Sequence, residues 1–206
     1  MSVELHISKE EERMTLSAFE KMIRLKNVPQ KIFDTFQKVF GGTSLEVVPI
    51  RYNKDGNIEV FMMKRPSTDT YWPGEYHVPG TMVFAWDWTK GNGFDSAWER
   101  IKKKEVAQNN DSSLMPVSTL YLDTKRGGET ACVNIIVFKG PTSNESGEWF
   151  AIDNIPSNII DHHKPIIFEG IHDFVAAIKS GYYLDTELGE MAIENMISQI
   201  SNLKRQ

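Results

Sequence analysis

Residues 72–108 read WPGEYHVPGTMVFAWDWTKGNGFDSAWERIKKKEVAQ, and the fold follows from how this stretch changes character along its length. It opens on an aromatic approach broken by Pro73 and Gly74, then makes a tight turn at His77-Val78-Pro79-Gly80. A Trp- and Gly-rich loop follows, through Trp86, Asp87, Trp88 and Gly91-Asn92-Gly93. Asp95 is a good N-cap for a helix starting Ser96-Ala97-Trp98, because its side chain can accept from orphan N–H groups of the first turn. In that helix Ala97, Trp98, Ile101 and Val106 are expected to face the core. Positions 101, 104 and 105 stand at i, i+3 and i+4 and share one face. A glycine at position 80 allows close approach of a ligand to the backbone or a positive φ, and its carbonyl is a candidate metal ligand. A turn held beside a helix that carries Arg100 and Glu105 can position a cation and a phosphate together.

Working outward, residues 45–52 and 58–65 are β-rich runs joined by Asn53-Lys54-Asp55-Gly56-Asn57, a strong hairpin signal. Residues 114–125 and 130–139 form a second pair around Arg126-Gly127-Gly128-Glu129, and apolar residues at successive positions 135–138 predict burial on both faces. A short strand is expected near Trp149, Phe150 and Ile152. Toward the N-terminus, Ser8 and Glu11 make a capping-box pattern ahead of Leu16, Phe19, Met22 and Ile23. A second amphipathic helix runs from about Pro29 through Ile32, Phe33, Phe36, Val39 and Phe40 to Gly41-Gly42. Residues 168–181 form another helix with Ile171, Phe174, Val175 and Ile178 on one stripe. Asp185 caps a last one with Leu188, Met191, Met196, Ile197, Ile200 and Leu203. The order predicts an α/β fold, a mixed sheet sandwiched between helices. Residues 1–42 read as a helical extension and 43–206 as the main domain. The extension is expected to pack on the domain, with a lid or a homodimer contact as alternatives.

The 206 residues carry 40% hydrophobic and 25% charged side chains, ordinary globular values. A net charge of −5 argues for no nucleic acid and no anionic membrane as partner, since such binders carry a basic footprint. The single Cys132 cannot close an internal disulfide, which points to a reducing compartment. The acidic start MSVELHISKEEER lacks a signal peptide's apolar core, and no apolar run reaches the ~20 residues of a membrane span. A cytoplasmic protein is expected.

The chemistry-bearing side chains each have two readings. Arg65, at a strand end, is either a solvated arginine or a bidentate phosphate ligand. His77 is a candidate proton carrier near neutral pH, or a structural histidine bonded to backbone. Glu129, after the second hairpin turn, is a candidate general base or metal ligand, or an exposed turn residue. Trp86 either stacks on a base or sugar or packs. Lys104 contacts a phosphate, neutralises Glu105, or joins Lys102 and Lys103 on a solvated face. His163, in Asp161-His162-His163, is a further candidate base or a capping residue.

The PGT turn at Pro79-Gly80-Thr81, the Trp-x-x-Pro-Gly-like entry WPGEYHVPGT, Arg100 and the helix beyond it together resemble the Nudix family, which hydrolyses nucleoside diphosphates linked to another group. The resemblance covers about half the chain. It implies an α/β/α sandwich and places Arg100 on the box arginine. It also puts Ile101, Lys104 and Glu105 where the family has three metal-binding glutamates. Helix residues Glu99-Arg100-Ile101 and Glu105 are similar to the Glu-Arg-Leu-x-x-Ala-Glu of the GDP-mannose mannosyl hydrolase branch, as is Lys64-Arg65-Pro66 to its strand end. Lys104 and Thr81 depart from that branch. The resemblance therefore implies a degenerate site: Mg²⁺ or Mn²⁺ on Glu105 and the Gly80 carbonyl, Arg65 on the diphosphate, Arg100 orienting Glu105, and His77 or Glu129 activating water. The expected function is hydrolysis of a small nucleoside diphosphate derivative such as a nucleotide-sugar. The alternative is an inactive Nudix-like nucleotide-binding sensor or scaffold.

Overall fold

The computed structural model describes residues 7–53, 57–90, 93–106, 114–138, 147–182 and 198. The helix expected from Asp185, the centre of the first hairpin turn, and most of the 141–147 loop lie outside the described residues. Strand β1 (Gly42–Tyr52) is the middle of a mixed sheet. Strand β2 (Ile58–Lys64) pairs antiparallel with it, Ile50 opposite Val60. Two short strands follow: β3 (Tyr76–His77) extends the sheet beyond β2, and β4 (Gly80–Met82) lies antiparallel on β1 with Gly80 opposite Glu46. Strand β5 (Met115–Thr124) and β6 (Gly127–Val137) form the second hairpin, and β6 runs parallel to β1 with Glu129 opposite Gly42. Strand β7 (Gly147–Ala151) pairs with β2.

The pleat sends successive side chains to opposite faces, and both faces of β1 and β6 are buried. Leu45, Val47, Ile136 and Phe138 pack on one face against Ala97, Trp98 and Ile101, which belong to helix α3 (Gly93–Lys104). Val48, Ile50, Ala131, Val133 and Ile135 pack on the other against Ile166, Ile167, Ile171 and Phe174, from helix α4 (His163–Lys179). Full burial of each such side chain contributes about 1.5–3 kcal/mol, so the two helices clamp the sheet from both sides. The expected sandwich is the observed one. Helix α4 starts five residues ahead of the expected Phe168, because Ile166 and Ile167 already belong to its buried stripe. Helix α3 includes Asp95 in its first turn rather than before it, where a carboxylate still favours the helix N-terminus. Trp86 and Trp88 lie in a 3-10 turn, Ala85–Lys90. Among the described residues no helix is long and apolar enough to cross a membrane.

At the N-terminus, helix α1 (Lys9–Leu25) begins with the reciprocal Ser8–Glu11 capping box. Helix α2 (Gln30–Phe40) lies against it, Phe19 to Phe36 at 5.1 Å between ring centres. The hairpin meets the sheet through α2: Phe33 approaches Phe84 and Arg126, and the buried Gln37 fills the space left by Gly42. Gly127 holds a φ of 128° directly against the Gln37 carbonyl, so a Cβ there meets backbone and an unfavourable dihedral at once. Gly127→Ala is expected to cost about 1–3 kcal/mol, read as a lowered midpoint in thermal unfolding, whereas the neighbouring Gly128→Ala, with open space around it, should change little.

Candidate functional site

The first residue of β4, Gly80, lies between two acids from different elements. From the helix side, Glu105 follows the last turn of α3, its N–H still bonded to the Ile101 carbonyl at 2.8 Å. Its Oε2 accepts the Gly80 N–H at 3.0 Å. From the sheet side, Glu46 stands opposite Gly80 on β1, and a Cβ added to Gly80 would run into the Glu46 carboxylate. Any side chain here would have to displace the Glu46 carboxylate, so close approach, not an unusual dihedral, is what favours glycine. Glu46 is 5% exposed and its Oε2 has no hydrogen-bond partner. Alternation along β6 puts Glu129 on the face of Ala131 and Val133. It too is buried, with Oε2 lacking a hydrogen-bond partner and 3.7 Å from the Arg126 Nη2.

The electrostatics show an acid-rich interior. Burial, then the Glu129 charge, and to a lesser degree Glu105, push the Glu46 carboxyl well above its ordinary range, against the pull of Ser44 and Arg65. Burial likewise raises Glu105, countered by the Gly80 N–H, Arg65 and Lys104. Arg65 therefore faces both carboxylates. Its guanidinium lies over Trp72 at 6.0 Å, 3.7 Å from Asp69. Asp69 accepts the N–H groups of Tyr71 and Trp72, both at 2.9 Å, and so fixes the loop that presents the indole. Arg126 lies over the same Trp72 at 4.8 Å and over Phe33 at 5.9 Å. The Nε atoms of both arginines are buried without a hydrogen-bond partner. A cavity of about 610 Å³ opens between Gly42, Thr43, Leu122, Asp123 and Glu129, bringing solvent space to this acid.

The remaining expected site residues are held by other partners. Arg100 forms an ion pair with the buried Asp87, donates to the Met82 carbonyl at 2.8 Å and lies over Phe84. These contacts fasten the 3-10 turn to β4 and α3. Trp86 stacks on Phe84 with centroids 4.4 Å apart. Lys104 is exposed at the helix end. His77 is buried, its Nδ1 2.8 Å from the Val78 carbonyl and its ring 5.8 Å from that of His163. Burial, then the nearby Arg65, pushes His77 down to about 3. Burial with Arg126 takes His162 to about 4, and burial with its two histidine neighbours puts His163 well below its ordinary range.

Sequence reading passed over Glu46, Trp72 and Arg126 as site residues. The signal for Glu46 was a lone acid inside the apolar run LEVVPI. Arg126 looked like a turn residue, and only the fold carries that turn back to Trp72.

No family model matches the chain and no curated protein matches it. Solved structures do resemble it. The NUDIX domain of Shewanella oneidensis NrtR complexed with ADP ribose gives a TM-score of 0.52 at 14% identity, over 75% of this chain and 98% of that one. Shewanella oneidensis NrtR complexed with a 27mer DNA gives 0.53 at 14%, over 79% and 80%. The C-terminal domain of mouse MUTYH, solved with human PCNA, gives 0.51 at 12%, over 64% and 88%. At these identities the likeness is one of fold: the chain has the Nudix fold. It also overturns the exclusion of nucleic acid drawn from net charge, since proteins of this fold include one solved on DNA and another on a protein partner. Net charge sums over the whole surface, whereas recognition is decided by the local field at one patch.

Two outcomes follow. Arg100→Met strands Asp87 and the Met82 carbonyl together, and is expected to lower stability by about 2 kcal/mol or more, measured by denaturant unfolding. The second is pH-dependent. Between pH 6.5 and about 3 the unfolded chain binds protons at His77 that the native site refuses. The stability present above pH 6.5 therefore declines as pH falls through this window. His77→Asn should flatten that decline in unfolding midpoints taken from pH 7 to pH 4.

Proposed function

We propose that the cleft around Gly80 binds a nucleoside diphosphate derivative, a nucleotide-sugar being the leading candidate, and hydrolyses it with one divalent cation. The observation that carries this reading is the Gly80–Glu105 hydrogen bond. It brings the single acid retained on the metal-facing side of α3 onto the glycine turn, within the field of Arg65. The donor set fits one hard cation and not two. Mg²⁺ takes oxygen ligands and is commonly held by one or two carboxylates together with substrate phosphate. Glu105 and the Gly80 carbonyl supply such oxygens, with the partnerless Glu46 Oε2 beside them, while Ile101 and Lys104 supply none. When bound, Mg²⁺ or Mn²⁺ polarises the diphosphate and neutralises developing charge.

The chain's own residues do the rest. Arg65 and Arg126 both hold their guanidiniums against one fixed indole, Trp72, and their planar forks suit phosphate oxygens. Trp72 and Phe33 limit the rotation of Arg126 and so keep it pre-organised. Of the candidate bases, Glu129 has an oxygen without a hydrogen-bond partner next to the open cavity. His77 is neutral and directs Nδ1 at a backbone carbonyl, leaving only Nε2 to accept a proton. Arg100 supports the turn through Asp87.

A second reading has its own support: a binding module without turnover. Among the described residues no group of three or more acidic, His or Cys side chains is placed to hold a metal. NrtR, of the same fold, is solved with ADP ribose in one case and with DNA in another.

The test is a panel of nucleotide-sugars and dinucleotides incubated with Mg²⁺ or Mn²⁺, wild type beside Glu105→Gln. Hydrolysis should fall at least about 100-fold in the variant, the several kcal/mol of a cation's charge stabilisation. Arg126→Ala should raise KM about tenfold or more, the loss of a charge-assisted contact. Release of free sugar would indicate C–O cleavage, and release of a nucleoside monophosphate P–O cleavage. Ligand binding without divalent ion and without Glu105-dependent turnover would establish the binding module instead.

A further inference from the structure

Glu46 is not accounted for by the packing around it. It stands at the middle of β1, among residues buried on both faces of the sheet, and is 5% exposed. Its Oε2 has no hydrogen-bond partner and the Ser44 hydroxyl beside the carboxyl makes no hydrogen bond either, although the neighbouring Glu105 receives the Gly80 N–H. Among the described residues no arginine forms an ion pair with it: Arg65 stands with Asp69 and Trp72, and Arg126 with Glu129 and Trp72. A buried carboxylate oxygen with no donor is costly to keep, and hard divalent cations are the partners such oxygens suit. The same place in the fold is short of acids from the helix side, where Ile101 is turned into the core and Lys104 is exposed.

The two facts fit one another. Glu46 and Glu105 come from opposite sides of the sandwich and meet at the same glycine, with the missing Cβ of Gly80 making room for the Glu46 carboxylate. We infer that Glu46 is a carboxylate ligand of a single divalent cation at Gly80, supplied from strand β1 in place of the acids absent from helix α3. The inference rests on the reading of Gly80 and Glu105 as a cation site and extends it to a residue in a different element.

The experiment is a titration of the full chain with Mn²⁺, following the electron paramagnetic resonance signal of the free ion, for wild type, Glu46→Gln, Glu105→Gln and Glu129→Gln. Wild type should bind one Mn²⁺ per chain, displaced by Mg²⁺. Glu46→Gln and Glu105→Gln should each weaken binding tenfold or more, and Glu129→Gln by less than about threefold if it acts only as nearby charge, since a lost ligand costs more than a screened one. Unfolding midpoints form the second readout. Wild type should rise with added Mn²⁺ as any native-state ligand demands, while Glu46→Gln should melt no lower than wild type in the absence of metal and should lose the Mn²⁺-dependent rise. Mn²⁺ affinity unchanged in Glu46→Gln but lost in Glu105→Gln overturns the assignment of Glu46 and leaves the Gly80–Glu105 site standing. Equal weakening in Glu46→Gln and Glu129→Gln also overturns it, because Glu46 would then act only as unspecific charge. No Mn²⁺ bound by wild type removes the cation site altogether, and Glu46 with it.

Discussion

The hydrogen bond from the Gly80 N–H to Glu105 spans 25 positions of sequence and joins the sheet to the end of helix α3. It closes α3 onto β4, and β4 is itself paired with β1, the strand on which the rest of the sheet is assembled. Because β1 also pairs with β2 and β6, a displacement at this glycine is felt by both hairpins. The contact draws a carboxylate inward, where burial raises its proton affinity. The structure retains it by placing the backbone N–H and Arg65 against it.

Around that contact three acids, Glu46, Glu105 and Glu129, are buried or partly buried. Arg65 and Arg126 are both held on Trp72. Three histidines stand beside the arginines and are kept neutral by burial and by the same positive field. The N-terminal hairpin takes part through α2, whose Phe33 and Gln37 reach Arg126 and the glycines of β1 and β6. It forms a wall of the site as well as an appendage of the fold.

Most of the framework was legible in the residues. The β-rich runs around Gly56 and Gly127, the capping box at Ser8, and the apolar stripe of 171–178 each became the expected element, since strand alternation and helical periodicity are local properties. Ala97, Trp98 and Ile101 were expected in the core and are there. The loop holding Trp86 was ambiguous because alternation over three residues does not separate a strand from a 3-10 turn. Its Asp87–Arg100 tie decides the matter, and that tie joins residues thirteen apart. The inference from net charge to partners failed because a sum over the chain carries no information on where charge lies.

By itself the sequence determined the order of helices and strands, the glycine turn at Gly80, and a helix end that carries Ile101, Lys104 and Glu105 on one face. What only the tertiary structure decided is which distant groups come together: Glu46, from a strand that read only as one arm of a hairpin, at Gly80, and Arg126, from a hairpin turn, at Trp72, which holds two guanidiniums. The reason is physical. Periodicity encodes which face of an element is apolar, but the meeting of polar groups from separate elements depends on sheet register and the parallel pairing of β1 with β6, and both are set by long-range packing.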